Sequence, residues 1–107
     1  MSPKLLQVNY KFEGTRAEYE AANLPWGQPI AEMTGLRWKI WLMNESDGEA
    51  GGIVLFEDDG ARQAYIDGVL AEARSDPMVS DITFKRFDVL DGLSAITRAP
   101  TSESVRA

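Results

Sequence analysis

Apolar and polar residues alternate at the start of the chain. In "LLQVNYKF" (5–12), Leu6, Val8, Tyr10 and Phe12 fall on one side, and Leu5, Gln7, Asn9 and Lys11 on the other. This alternation predicts a first strand with one clearly apolar face.

A helix is predicted directly after this strand. In "GTRAEYEAAN" (14–23), Thr15 and Glu18 have the spacing of a capping box, which is typical of a helix start. Pro25 and Pro29 each remove a backbone donor from the continuation of this segment. We therefore expect the helix to be kinked or split before Thr34 and Gly35 end it.

The next alternating segment, "GLRWKIWLMNE" (35–45), contains two of the three tryptophans. As a strand, it places Leu36, Trp38, Ile40 and Leu42 on one face and Arg37, Lys39, Trp41 and Met43 on the other. A turn through Asp47 and Gly48 leads to "GGIVLFE" (51–57), whose composition is typical of a central strand. We attribute the pair Gly51 and Gly52 to close strand packing, because no phosphate-binding glycine pattern surrounds it.

A second helix and a fourth strand complete the pattern. The segment "GARQAYIDGVLAEARSD" (60–76) has a helical apolar stripe, Asp58 or Asp59 can cap it, and Pro77 ends it. The segment "VSDITFKRFDV" (79–89) is predicted to be the last strand. We expect one domain over residues 1–97, followed by a polar tail over residues 98–107.

The order of these elements is β-α-β-β-α-β, which predicts an α+β, ferredoxin-like fold with a four-stranded antiparallel sheet. Two helices cover only one face of such a sheet, and an exposed aromatic patch on the other face usually marks an interface. We therefore expect two copies to pack sheet against sheet. In this interpretation Trp38 lies beneath the helices, and Trp41 lies at or near the subunit interface.

Composition narrows the chemistry that the chain can perform. Its 107 residues include no cysteine and no histidine, so the commonest metal ligands and the usual neutral-pH base are absent. Its 17 acidic and 11 basic residues give a net charge of −6, which argues against a nucleic-acid surface. No segment has the pattern of a membrane span or a signal peptide, so we expect a cytoplasmic protein without a membrane partner.

Three segments, "GLRWKIWLMNE", "EAGGIVLFED" and "KRFDVLDGLSAITRA", occur together in the order and spacing of one family. From about Leu5 to Arg98 the chain resembles the YdhR-type monooxygenases of the dimeric α/β-barrel superfamily, although "NLPWGQP" in the first helix matches poorly. The resemblance implies a homodimer whose sheets close into a barrel, with a cavity between helices and sheet in each subunit. It also implies addition of oxygen to an aromatic or polyketide-like ring without metal, flavin or nicotinamide, hence no cofactor.

The resemblance also carries over two individual residues. Asn9 falls where haem-degrading and quinol-forming relatives have a pocket asparagine, and Tyr65 falls where they have a tryptophan. The histidine that binds iron in the haem-degrading branch would lie near Asp76, and it is missing here. We therefore expect no haem oxygenation.

The remaining candidates have a structural and a functional interpretation each. Trp38 and Trp41 are packing residues or the walls of an aromatic pocket, and Trp26 is a candidate lid or entrance residue. Lys39 either extends its ammonium to solvent or a carboxylate, or is buried with a lowered pKa as a base or an anion-binding cation. Arg86 forms an ion pair across strands or binds a substrate oxygen.

Two functional hypotheses follow. In the first, the protein is a cofactor-independent oxygenase of an electron-rich aromatic such as a hydroquinone or an anthrone. Asn9 and Tyr65 would contact the oxyanion, Trp38 would contact the ring, and Lys39 would stabilise the anion. In the second, the pocket belongs to an isomerase or cyclase that works by proton transfer alone, or to a noncatalytic binder of small ligands.

Overall fold

The computed structural model describes residues 3–101 and contains a single antiparallel sheet covered by helices on one face. The strands have the order β2-β3-β1-β4. This arrangement confirms the predicted β-α-β-β-α-β, ferredoxin-like fold. None of the helices in this part of the chain is both long and apolar enough to cross a membrane. The elements are β1 (Lys4–Phe12), α1 (Arg16–Ala31), β2 (Leu36–Asn44), β3 (Glu49–Phe56), α2 (Asp59–Tyr65), α3 (Ala71–Ala73), β4 (Val79–Asp88) and α4 (Asp91–Ile96).

A β-bulge near the start of β2 decides which tryptophan lies beneath the helices. Leu36 pairs with Phe56, but the next pair is Trp38 with Leu55, so the register shifts between them. The shift places Leu36 on the helix-covered face and Trp38 on the open face. The predicted alternation through Leu36 and Trp38 is therefore wrong, and so are the places assigned to the two tryptophans. Trp41 pairs with Gly52 and lies beneath the helices.

Helix α1 begins at the predicted capping box and is not split by its prolines. The Thr15 hydroxyl accepts from the Glu18 amide at 3.1 Å, and the Glu18 carboxylate accepts from the Thr15 amide at 2.8 Å. Pro25 and Pro29 both lie inside the continuous helix Arg16–Ala31. Pro25 and the residue whose carbonyl it leaves unbonded, Ala21, are exposed, so water can bond to that carbonyl.

The second helical region contains a π-helical segment, Ile66–Leu70, between α2 and α3. Of the two predicted caps, Asp58 is the one used, since its carboxylate accepts from the Ala61 amide at 2.8 Å. A π turn takes in one more residue than an α turn. Tyr65 and Val69, on either side of this turn, both line the space between helix and sheet.

The larger of two buried clusters lies where α2 covers the sheet. Its central members are Leu6, Val54, Phe56 and Tyr65, all at 1% exposure or less. Arg62 borders this core and fastens α2 to the sheet, because its guanidinium donates to the carbonyls of Leu5 and Phe87, each at 3.1 Å. It also pairs with Asp59.

The chain beyond β4 returns to the sheet. After α4, the Thr101 carbonyl accepts from Arg37 and the Pro100 carbonyl accepts from the Trp38 indole, each at 2.8 Å. The first residues of the predicted tail are thus attached to β2, while residues 102–107 lie outside the described residues. The boundary between a domain over residues 1–97 and a tail stays a prediction.

Candidate active site

A cavity of about 250 Å³ lies between the helices and the sheet, bordered by members of both buried clusters. Because an apolar cavity of about 150 Å³ can hold benzene, this cavity has room for one substituted aromatic ring. Its lining is largely aromatic, with a few polar groups. The aromatic, polar and charged residues of the lining include Tyr10, Tyr19, Asn23, Trp26, Lys39, Trp41, Tyr65, Glu72 and Asp76.

Two glycines of β3 line the floor of the cavity. A Cβ atom on Gly51 would lie 2.0 Å from the Val8 carbonyl oxygen, and one on Gly52 would lie 2.9 Å from the Ile40 carbonyl oxygen and 3.1 Å from the Lys39 Cε. Both glycines therefore allow close strand packing, as predicted. Gly52 additionally leaves the space that the Lys39 side chain occupies above the sheet.

One stripe of α1 forms the roof. Tyr19, Asn23, Trp26 and Ile30 all line the cavity, and their spacing of four, three and four residues places them on a single face of a helix. Of the sixteen helix residues, only Tyr19 and Ile30 are buried. The helix thus covers the sheet at two separated points and leaves the space between them unfilled.

Lys39 places its amine among aromatic rings. The Nζ atom lies 3.4 Å from the centroid of the Trp41 ring and 5.6 Å from that of Tyr65, within the range of cation–π attraction. Within residues 3–101 no carboxylate comes close enough to form a salt bridge with it. Burial lowers the pKa of Lys39 from 10.5 to about 8. Near neutral pH a usable fraction of this amine is therefore uncharged.

Three tyrosines line the same cavity, and burial favours the protonated form of their hydroxyls. The hydroxyls of Tyr10 and Tyr19 are hydrogen-bonded to each other. Tyr65 is 1% exposed, and its hydroxyl has no hydrogen-bond partner within the part of the chain that the structure describes. Burial raises the pKa of all three phenols. At neutral pH the phenols are therefore O–H donors, whereas the uncharged fraction of Lys39 can accept a proton.

An open groove of about 720 Å³ runs beside the cavity, between α1 and the edge strand β2. Tyr19, Asn23 and Trp41 line both spaces. The cavity can therefore be reached from the groove, and parts of a ligand that exceed the cavity can remain there. Among residues 3–101, no three acidic side chains come close enough together to hold a metal ion.

The structure brings together four of the seven residues predicted for the site. Trp26, Lys39, Trp41 and Tyr65 line the cavity. Trp26 is 38% exposed at the roof, which is a suitable position for an entrance residue. Their roles in binding or catalysis stay predictions.

The other three predicted residues lie away from the cavity. Asn9 is exposed on the open face, because it pairs with Gly51 and Thr83 on the side of β1 opposite Val8. Trp38 is on the open face because of the bulge. Arg86 is exposed near the sheet edge and donates to Gln63 at 2.8 Å. Asn9, Trp38 and Arg86 therefore do not line this cavity, and their roles in binding or catalysis stay predictions.

Sequence reasoning did not single out Tyr10, Tyr19 or Asn23 as site residues. A signal for Tyr10 was present, because it shares the apolar side of β1 with Leu6 and Val8. A signal for Tyr19 and Asn23 was also present, since both lie on the helical stripe that ends at Ile30. What the pattern could not indicate is that this stripe faces a cavity and not a filled core.

Comparisons with known proteins agree with this fold. The family described as "Putative mono-oxygenase ydhR" matches residues 5–100. No curated protein matches the chain.

Solved structures similar to this chain include a protein of unknown function, NE2512 from Nitrosomonas europaea. It has a TM-score of 0.66 and 22% identity over 84% of this chain and 91% of that one. SnoaB, a cofactor-independent oxygenase from Streptomyces nogalater, has a TM-score of 0.65 and 17% identity over 83% and 94% of the two chains. A "putative antibiotic biosynthesis monooxygenase" from Deinococcus radiodurans has a TM-score of 0.64 and 11% identity over 80% and 91%. At these identities the likeness shows the fold alone.

Proposed function

Because the chain belongs to the family described as "Putative mono-oxygenase ydhR", we propose that it is a cofactor-independent monooxygenase of an electron-rich aromatic compound. The substrate class is a hydroquinone, an anthrone or a similar polyketide-like ring with an acidic proton. The reacting ring binds in the cavity beneath α1, and further rings extend into the adjoining groove. The cytoplasmic location predicted from the sequence stays a prediction.

The observation that carries this proposal is the environment of Lys39. An amine that is buried among aromatic rings, without a carboxylate partner in residues 3–101, lacks the counter-ion that a buried cation requires. A bound aromatic anion supplies that charge. The site therefore favours the deprotonated form of a substrate over its neutral form. The deprotonated form is the one that reacts with oxygen.

The phenols complete the anion site. In the pair formed by Tyr10 and Tyr19, one hydroxyl donates to the other, and the second hydroxyl keeps its own proton for a ligand oxygen. Tyr65 offers another donor without a partner among the described residues. Hydrogen bonds from donors held in place in a water-poor cavity stabilise a developing oxyanion more strongly than water does.

The reaction balances with the substrate as the only reductant. For an anthrone, neutral Lys39 removes a proton from the reactive CH₂ carbon, and the resulting anion gives one electron to O₂. The carbon radical and superoxide combine, forming a C–O bond, and the Lys39 ammonium returns its proton to the peroxide. The O–O bond then breaks as the second C–H hydrogen leaves, so that CH₂ and O₂ become C=O and H₂O.

The direct test uses ¹⁸O₂. Purified protein, treated with a chelator, is incubated with a panel of hydroquinones and anthrones, and label in the product is measured by mass spectrometry. We expect one labelled oxygen atom per product molecule, at a rate above that in buffer. Incorporation no faster than in buffer across the panel would refute the proposal.

Matched lysine variants show whether the rate depends on the cavity. Lys39→Met keeps a long side chain and removes the base, and we expect a loss of about 100-fold in kcat, typical of a lost general base. Lys11→Met, at an exposed position of β1, should retain the wild-type rate. Equal losses in both variants would contradict the role of Lys39.

The same amine also fits the second hypothesis, proton transfer without oxygen, because its first step is identical. The two reactions differ in their need for O₂. Turnover of a panel substrate to an isomer under nitrogen would favour the isomerase or cyclase. Saturable binding without any turnover would favour a noncatalytic ligand-binding protein.

We further propose that the protein is a homodimer that packs sheet against sheet. On the open face Ile40 of the edge strand β2 is 49% exposed and Phe87 of the opposite edge strand β4 is 46% exposed, and exposed apolar side chains on an uncovered sheet face support an interface there. Ile40→Glu should therefore yield monomers in sedimentation experiments. Leu24→Glu, on exposed α1, should leave the dimer intact. A folded wild-type monomer at micromolar concentration would contradict the dimer.

A further inference from the structure

Lys39 has a second kind of reactivity that does not depend on oxygen. Its Nζ atom lies at the end of a stem that crosses above Gly52, between the rings of Trp41 and Tyr65. Within residues 3–101 no carboxylate holds it as a paired cation. An amine that is desolvated in this way is a nucleophile as well as a base.

We propose that Lys39 captures small aromatic aldehydes in the cavity as a covalent imine. The ring of the aldehyde takes the place of the reacting ring, and the cavity of about 250 Å³ accommodates one ring with its substituents. The groove shared at Tyr19, Asn23 and Trp41 provides the access route. This activity requires neither the oxygenase reaction nor its substrate.

The bonding changes in this step are complete without a further reactant. The Nζ lone pair attacks the carbonyl carbon, and the C=O π electrons go to the oxygen, which takes up a proton. The nitrogen then loses a proton, and the hydroxyl of the resulting carbinolamine leaves as water when it is protonated. The product is a C=N bond between the ligand and Lys39, with one water released and no change of oxidation state.

The cavity supplies hydrogen-bond donors for the hydroxyl that leaves in the second stage, and the proton lost by the nitrogen completes the water molecule. The titratable residues that line the cavity with Lys39 are Tyr10, Tyr19, Tyr65, Glu72 and Asp76. Burial raises the pKa of the phenols, so they remain protonated while the amine is partly neutral. Of these phenols, the one of Tyr65 belongs to a ring whose centroid lies 5.6 Å from the Lys39 Nζ atom.

The amount of reactive amine sets the expected selectivity. With a pKa of about 8, roughly 10% of Lys39 is neutral at pH 7. A lysine with the ordinary pKa of about 10.4 is neutral in only about 0.04% of molecules. Lys39 therefore holds a neutral fraction about 250-fold larger than an ordinary exposed lysine.

The experiment uses 4-hydroxybenzaldehyde under nitrogen, with cyanoborohydride to reduce the imine to a stable amine. Peptide mapping of the wild-type protein at low conversion then measures the label at each lysine. We expect labelling of Lys39 to be at least about tenfold faster than that of Lys4, Lys11 or Lys85, with a rate that rises up to about pH 8. Excess 4-hydroxybenzyl alcohol, which cannot form an imine, should block Lys39 and leave the α-amino group reactive.

Variants separate capture in the cavity from general amine chemistry. Lys39→Arg keeps the positive charge and should lose the label at position 39. Lys85→Met should retain the label on Lys39. The wild-type peptide map decides the matter even if a variant fails to fold. Labelling of Lys39 no faster than of the exposed lysines, or labelling that the alcohol does not reduce, would overturn the proposal.

Discussion

Replacing Lys39 by methionine is expected to make the protein more stable and less active at the same time. The change keeps an unbranched side chain of similar length above Gly52 and removes only the amine. A buried charge without a carboxylate partner in residues 3–101 destabilises the folded state, so its removal should raise the free energy of unfolding.

The size of this gain follows from the environment of the amine. Burial lowers the pKa of Lys39 from 10.5 to about 8, which corresponds to about 3 kcal/mol of destabilisation of the charged form. The Trp41 ring, with its centroid 3.4 Å from Nζ, offsets about 0.5 to 2 kcal/mol of this cost. We therefore expect Lys39→Met to gain about 1 to 3 kcal/mol at pH 7.

The stability difference between the wild-type protein and Lys39→Met should change with pH in one direction only. Between about pH 8 and pH 10.5, the unfolded chain keeps a proton on Lys39 that the folded chain has lost. The stability of the wild-type protein therefore rises with pH in this window relative to the variant. The advantage of Lys39→Met should be complete below pH 8 and absent above pH 10.5.

Urea denaturation at pH 7 and at pH 10.5, at one fixed protein concentration, measures the effect. Lys11→Met is the matched control, because Lys11 is exposed at the end of β1. It should change the free energy of unfolding by less than about 0.5 kcal/mol at both values. If Lys39→Met is no more stable than the wild-type protein at pH 7, or if its advantage is the same at both pH values, the reasoning fails.

Three further predictions concern the scaffold. Thr15→Ala removes the cap of α1 and should cost about 1 kcal/mol in urea denaturation, without a change in the slope of the transition. Arg62→Ala leaves two partly buried carbonyls without their donor and should cost about 2 to 4 kcal/mol, whereas Asp59→Asn, at an exposed partner, should cost less than about 1 kcal/mol. Gly52→Ala should cost about 1 to 3 kcal/mol, because its Cβ would meet the Ile40 carbonyl oxygen. Gly27→Ala, within α1 and without any atom near the new Cβ, should instead gain about 0.5 to 1 kcal/mol.

The order of the elements could be predicted from the sequence, because it depends on local periodicity and on turn residues. The strands and the capped helices gave the fold directly. The faces of β2 could not be predicted in the same way. A bulge inserts one residue without any composition signal in "GLRWK", and one inserted residue transfers every preceding side chain to the opposite face.

The same limit applies to the site. Lys39 and Trp41 were identified as candidates by their residue type and Tyr65 by the resemblance, and all three line the cavity. Asn9 was carried over from the resemblance by its position along the chain, although the alternation of β1 already places it on the side opposite Val8. Tyr10 and Tyr19 have the pattern of ordinary core residues. Only the space around them distinguishes a donor at a cavity from a packed phenol.

The location of that space follows from the side chains of β3. Counted from its start, the residues that face the helices are Ala50, Gly52, Val54 and Phe56, and their volumes are small at one end and large at the other. At the large end, the side chains meet α2 and fill the core. Toward the small end, a gap remains above Gly52 between this core and the second buried cluster, in which Tyr19 packs on Phe12 and Ala50. The glycine of β3 thus leaves a space between two packed clusters that can receive a ring, with Lys39 lying above it.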